Sequence, residues 1–509
     1  MKLKKIIAVL LVACMALAVL ASCEEDGGAI KKPDGQGNDI DNQFPAGDYN
    51  GEDFGFLTFT SKVDSSGTEY YTGEWIDCDS ITGVATQESV YRRNLLCEQK
   101  YNVKISNKTE EGGYEELNTY YQMGDFTFDV IYGWANRMAV GITENGFHDF
   151  RDLHNKGFIN LNASYWDENA NNALTVAGRT YLAINDITMS KVAWTGCLFF
   201  NPILIEKFGL TEDNPHNLVA KDEWTVDKFL EMVQKVHDEL NGDNQFTKDD
   251  CYGLVDLGTT QSLLYGCGVE LVDSDYRLAI GEEKVINLIG KIYNVLSNRQ
   301  YVFDYDTIVE GFTQENPWAY TRSFFANGHA LFVGGTPELT REFKEMENGY
   351  GVVPLPKYNN TQTEYTAAID PCAGIFALPY NEVRIDGVDS SYERTGKILE
   401  YLAYKSSEEG NDESVLNTYY ETTIKGQRQT IEENKNMLDM IKKCGHYQWA
   451  AIFNVGGILG SQQDNSIAGV LGQMASKGSG VQSTFKRSQT RLQKAIDDLF
   501  DQISALPVE

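Results

Sequence analysis

The chain has 509 residues, a formal net charge of −31, 42% hydrophobic and 12% aromatic residues. So acidic a balance argues against nucleic acid and anionic membrane surfaces as partners, since both demand a basic face. The apolar content is ample for packed cores, and the charge says only that the protein is well solvated.

The chain opens on a basic start, Met1–Lys5, and an apolar run from Ile6 to Leu20. That run is shorter than the roughly 20 residues that span a bilayer with ease, and with Ala21 and Ser22 behind it reads as a secretory signal peptide over residues 1–22. Leu20-Ala21-Ser22-Cys23 resembles the bacterial lipobox. The resemblance implies cleavage before Cys23 and a diacylglycerol on its thiol; a second, palmitate-like acyl chain makes such an anchor stable, because one chain holds only marginally. Glu24 to Asn50 is rich in Gly, Asp, Asn and Gln and reads as a flexible tether. The chain is therefore expected to work on the extracytoplasmic face of a bacterial cell membrane.

The roughly 460 residues beyond the tether exceed the ~250–300 at which single cores stop growing, so two lobes are expected. Phe54–Thr60 reads as a strand, followed by a polar loop holding Trp75 and a helix over Gln87–Lys100. Val103–Ser106 is a second strand, Gly113–Met123 a second helix, and Phe128–Gly133 a third strand with Trp134 just past it. Strands alternating with helices predict a parallel sheet covered on both faces, with ligands beyond the strands' carboxyl ends. Further on, Val226, Phe229, Leu230, Val233, Val236 and Leu240 recur at helical spacing behind a capping Thr225, predicting a helix over Trp224–Leu240. Phe485, Leu492, Ile496, Leu499 and Ile503 predict a last helix over Phe485–Ile503.

Beyond the signal, seven cysteines remain at Cys78, Cys97, Cys197, Cys251, Cys267, Cys372 and Cys444. Their odd number and the lack of CxxC favour free thiols, with a Cys251–Cys267 bridge left open. Nucleophile-elbow, zincin, P-loop and dinucleotide motifs are all missing, and none of the six histidines pairs at metal-binding spacing. Two carboxylates suffice for a glycosidase, so a lipid-anchored extracellular glycan hydrolase or lyase stands as the alternative. Asn241–Asp250 has alternating oxygen side chains like a calcium loop but lacks the EF-hand glycine and closing glutamate, so a polar turn is preferred. No cofactor and no resident metal are expected.

Several stretches, in order, resemble the extracellular solute-binding lipoproteins of bacterial ABC importers, of the family 1-like, sugar-type group found in clostridia and other Gram-positive bacteria. They are Glu88–Asn94 running on to Glu98–Ile105; Tyr165–Tyr181 continuing into Leu198–Pro202; Glu223–Leu230 with Asn241–Asn244 and Tyr252–Leu254; Phe325–Phe332 with Gly349–Tyr358 and Gln362–Tyr365; and Glu393–Gly396 with Met437–Ile441. The resemblance implies an α/β, two-lobe periplasmic-binding-protein-like fold of type II. Its lobes are 51–183 plus 373–425, and 184–372 plus 426–509. Crossings are expected near Leu182–Asp186, Ala368–Ala373 and Tyr419–Lys425. It also implies a monomer without catalysis that captures a solute in the interlobe cleft and delivers it to permease subunits for carbohydrate transport. The expected ligand is a sugar or oligosaccharide, with cationic solutes and peptides left open, and an adhesion or sensor subunit on the same fold is a third reading. The residues expected to hold the ligand are Trp75, Trp134, Asp186, Trp194, Thr336, Asp370 and Trp449. Aromatic rings cover sugar C–H faces and carboxylates bind hydroxyls. Core packing competes as the role of each tryptophan, and hinge capping as that of each aspartate.

Overall fold

The computed structural model describes residues 43–60, 75–78, 83–123, 128–256, 258–304, 317–380, 389–457, 465–477 and 480–507. The signal segment and Cys23 lie outside the described residues. The chain divides into Met1–Gly47 and Asp48–Glu509, and all the strands belong to the second unit.

Two five-stranded sheets organise this unit. The first contains β1 (Glu52–Thr60), β2 (Val103–Glu111), β3 (Val130–Trp134), β4 (Phe147–His148) and β11 (Gly374–Pro379), in the order β2-β1-β3-β11-β4. The second contains β5 (Cys197–Phe200), β6 (Tyr252–Asp256), β7 (Val302–Asp304), β8 (Ala330–Gly335) and β9 (Gly351–Pro354), in the order β7-β6-β8-β5-β9. A short pair, β10 (Ala367–Ala368) with β12 (Gly445–His446), lies apart from both.

The first lobe follows the sequence pattern closely. β1 is flanked by parallel β2 and β3 in registers starting at Glu52↔Val103 and Phe56↔Val130, so Phe54, Phe56, Leu57 and Phe59 are buried on both faces. Helix α1 (Ala85–Tyr101) ends on Asn102 at φ 47°, a left-handed cap that asparagine tolerates, before β2 begins. Helix α2 (Tyr114–Met123) leads toward β3.

One expectation needs correcting. The sheets are mixed, not parallel: β11 runs antiparallel to β3 and β4, and β5 runs antiparallel to β8 and β9. Both odd strands enter directly from the other lobe. They have no preceding crossover helix in their own sheet, so nothing returns them to the parallel direction.

Helix α3 (Val226–Lys235) is capped by Thr225, whose side chain accepts from the Lys228 amide. It stops short of the expected Leu240. Val236 turns extended, and Asp238 and Cys251 then exchange both backbone hydrogen bonds on the way into β6. Gly253 of β6 is required here, because a Cβ would sit 2.1 Å from the Val233 carbonyl oxygen. Helix α4 (Asp389–Ser406) packs on α1, while helix α5 (Glu433–Cys444) packs on β9. Between them a π-helix, Thr418–Gln427, leans on α1 and joins the two lobes. Helix α6 is the short Trp449–Ile452, and helix α7 (Val481–Ala505) is the C-terminal helix, one turn longer at its start than its apolar stripe suggests.

Candidate ligand cleft

The strand directions put particular residues on facing edges. In the first sheet the carboxyl ends of β1 and β3 share an edge with the start of β11, since Gly374 pairs with Trp134. In the second, the ends of β6, β8 and β9 share an edge with the start of β5, since Cys197 pairs with Gly335 and Pro354. The segments linking the sheets run between these edges and are stitched to one another. Gly196 donates to the Ala368 carbonyl (3.1 Å), Ile369 to that of His446 (2.9 Å) and Asp370 to that of Trp194 (3.0 Å).

Trp134 closes β3, and its indole lies under the Arg137 guanidinium at 5.1 Å. The next turn is held by the other crossing, with Ala135 donating to the Ala373 carbonyl and Asn136 to that of Pro371, both at 3.1 Å. The Asn136 Nδ2 reaches the Cys372 sulfur at 3.7 Å. Two polar atoms at this corner are buried without a partner: Trp134 Nε1, a donor, and Asn136 Oδ1, an acceptor. Such orphans are rare in packed interiors, and a hydroxyl group can answer either kind. The Asp370 carboxylate accepts from the Cys372 amide at 2.8 Å. Burial raises its pKa above the ordinary carboxylate range, with that amide pulling the other way.

Trp194 is half-buried, two residues before the Gly196 link. Thr336 stands at the end of β8, extended, leading into the turn Pro337–Leu339 that packs on the Ser190–Trp194 helix. Trp449 starts α6, which packs on the Ala135–Met138 turn, and its ring touches Tyr276 and Phe453. The structure thus gathers Trp134, Trp194, Thr336, Asp370 and Trp449 around one hinge.

Trp75 and Asp186 behave differently. Trp75 is 3% exposed, edge-on to Tyr419 of the π-helix at 5.6 Å. Its carbonyl and that of Ile76 accept from the buried Arg93 (3.0 and 2.9 Å), which also reaches the Ile187 carbonyl (2.9 Å) and Ser406 Oγ (3.0 Å). Burial lowers the Arg93 pKa to about 10. Trp75 is a packing residue in this conformation, locking the loop to the crossings. Asp186 lines a separate cavity of about 240 Å³ with Asn185, Lys191 and Lys442, and none of the other six expected residues borders it.

Asn136, Arg137, Cys372 and Tyr419 were not singled out by the sequence. The first two follow Trp134 at the same strand end, so the strand-end rule extended by one turn finds them, and Tyr419 falls in the expected third crossing. Cys372 likewise falls in the expected second crossing, two residues after Asp370.

The Asn241–Asp250 loop uses its oxygens on its own backbone: Asn241 Oδ1 takes the Asp243 amide, Asp243 Oδ1 the Gln245 amide, and Asp250 the Leu240 and Thr247 amides. Among the described residues no group of three or more His, Cys, Asp or Glu is placed to hold a metal ion. All seven cysteines, Cys251 and Cys267 included, are free thiols.

No family model and no curated protein matches the chain. Solved structures do. The cyclic alpha-maltosyl-1,6-maltose binding protein from Arthrobacter globiformis is 12% identical with a TM-score of 0.55, covering 88% of this chain and 99% of that one. UgpB from Mycobacterium tuberculosis, solved in complex with glycerophosphocholine, is 16% identical with a TM-score of 0.50, covering 82% and 98%. At these identities the likeness is one of fold. The fold is the α/β two-lobe architecture of periplasmic binding proteins.

Proposed function

We propose that the protein is a substrate-binding lipoprotein that captures a small extracellular solute, a sugar or oligosaccharide, between its lobes and delivers it to an ABC permease. The observation that carries this reading is the corner at Trp134. Two orphaned, buried hydrogen-bonding atoms of opposite sense sit on an aromatic-rich strand end, beside a carboxylate at Asp370 and within reach of segments that cross between lobes. A polyol offers what this corner lacks: hydroxyls that both donate and accept, and C–H faces for Trp194 and Trp449. Trp134, Trp194, Thr336, Asp370 and Trp449 form the ligand set, and Trp75 supports it through Tyr419. The lobes divide near 183–184, 372–373 and 425–426. Ligand favours closure only through contacts made to both lobes at once, so no chemical step is needed.

The Arthrobacter protein is named for binding a cyclic maltose derivative, which supports a carbohydrate for this chain. On this reading Cys23 carries the lipid, the chain faces the outside of a bacterial cell membrane, and it acts as a monomer. The test is a calorimetric and thermal-shift screen of purified protein against malto-oligosaccharides, cyclic glucans, glycerophosphodiesters, amino acids and peptides. A ligand at 100 times its Kd stabilises by about 2.7 kcal/mol. No carbohydrate response, or new reducing ends released from a polysaccharide, overturns the reading.

A further inference from the structure

The cavity that holds Asp186 lies along the first expected crossing. Ser164, Asp167 and residues of the crossing between Ile184 and Val192, Asn185 and Lys191 among them, line it together with Leu416 and Lys442, the latter on α5. Its volume of about 240 Å³ far exceeds the roughly 10–15 Å³ that one water needs. Of the four charged side chains on its walls, Asp167 and Lys191 pair with each other. Asp186 and Lys442 are left over: among the described residues neither has an oppositely charged group within 4.0 Å.

The surroundings of this second pair are already committed. Lys442 sits over the Tyr420 ring at 4.5 Å. The nearest acid on its own helix, Asp439, is taken by Lys425 (3.0 and 3.2 Å) and by the Tyr420 hydroxyl (2.9 Å), and Glu421 is also paired with Lys425. Burial pushes Asp186 up to about 7 against a hydrogen bond from Ser407, and holds Lys442 below its usual value against the pull of Asp186, Glu421 and Asp439. Beside them Asn185 is 2% exposed. Its Oδ1 accepts from the Ile187 amide at 3.0 Å, which fixes the amide's orientation and leaves Nδ2 as a buried donor without a partner.

The cavity therefore presents one acid and one base, neither in ion-pair contact with an opposite charge among the described residues, and one spare donor. Water alone leaves the two charges apart in a partly desolvated space, whereas a molecule bearing both signs answers both. We propose that this hinge cavity is a binding site for a small zwitterion, an amino acid or short amino carboxylate, with its ammonium at Asp186 and its carboxylate between Lys442 and Asn185 Nδ2. The site is separate from the Trp134 corner and needs no sugar in the cleft. Because its walls come from both sides of the crossings, occupation favours the lobe angle that keeps them together.

The test is isothermal titration of the full-length protein with glycine, β-alanine and 4-aminobutyrate, with acetate and methylammonium as single-charge comparators. One of the three zwitterions is expected to bind one to one, at least tenfold tighter than either comparator. Asp186→Asn and Lys442→Met are each expected to weaken it at least tenfold, with unchanged far-UV circular dichroism showing that the variants fold. Asn185→Ala, smaller and neutral, is expected to weaken it less. The proposal fails if no zwitterion gives heat up to tens of millimolar, if acetate or methylammonium binds as well, or if the variants bind like the parent.

Discussion

In the segments that link the sheets, buried polar groups satisfy one another: the Trp194 carbonyl takes the Asp370 amide, the Asp370 carboxylate takes the Cys372 amide, and Arg93 gathers three carbonyls and a hydroxyl from segments far apart in the chain. In the neighbouring cavity Asp186 and Lys442 have no ion-pair contact within 4.0 Å among the described residues. The difference separates two uses of buried polarity. Satisfied groups hold a hinge in register, while unsatisfied ones mark places where something else can bind.

Substitutions can break this contrast, beginning with the packed side. Trp75→Ala removes a buried indole from between loop and π-helix and is expected to cost roughly 3–5 kcal/mol in urea unfolding, with ligand affinity changing only through stability. Arg93→Ala strands its buried acceptors and should cost about 3 kcal/mol in the same measurement. Trp134→Ala should do the reverse: melting moves little, while carbohydrate affinity drops by about 2 kcal/mol, near thirtyfold, by calorimetry. If Trp134→Ala melts early without losing ligand, the corner is core and the contrast collapses.

The cavity is sharpened by pH. The Asp186 pKa, about 7 in the folded protein, lies above its unfolded value, so the unfolded chain gives up this proton first as pH rises. Its contribution to stability is fully present below about pH 4 and is lost progressively until pH passes about 7. Asp186→Asn should flatten that decline by about 1–2 kcal/mol across the window, read from urea midpoints at a series of pH values. An unchanged slope removes Asp186 as the titrating group. The smallest effect is expected next door to the largest hub: Arg92, whose exposed pairs with Glu88 and Glu413 are solvent-screened, should lose under about 1 kcal/mol as Arg92→Ala.

Much of this was legible along the chain. The apolar runs at β1 and β3, the Thr225 cap and the stripe of the last helix each declare themselves within a dozen residues, because strand and helix periods are local properties of side-chain spacing. That Trp134 and Thr336 stand at strand ends and Trp194 and Asp370 in linking segments was readable once the elements were. What periodicity could not supply was the antiparallel entry of β11 and β5, which depends on where the chain comes from, or the early end of α3, which yields to a bridge with Cys251.

The sequence alone settled that strands and helices alternate, that aromatic residues stand at strand ends, and that the chain is strongly acidic. Only the tertiary structure decided that Trp75 is packed against Tyr419 while Trp134 keeps an unanswered N–H, and that Asp186 belongs to a cavity it shares with Lys442. The reason is physical: periodicity is written between neighbours, but burial and the company a charge keeps depend on segments hundreds of residues apart meeting, as those of Asp186 and Lys442 do around one cavity.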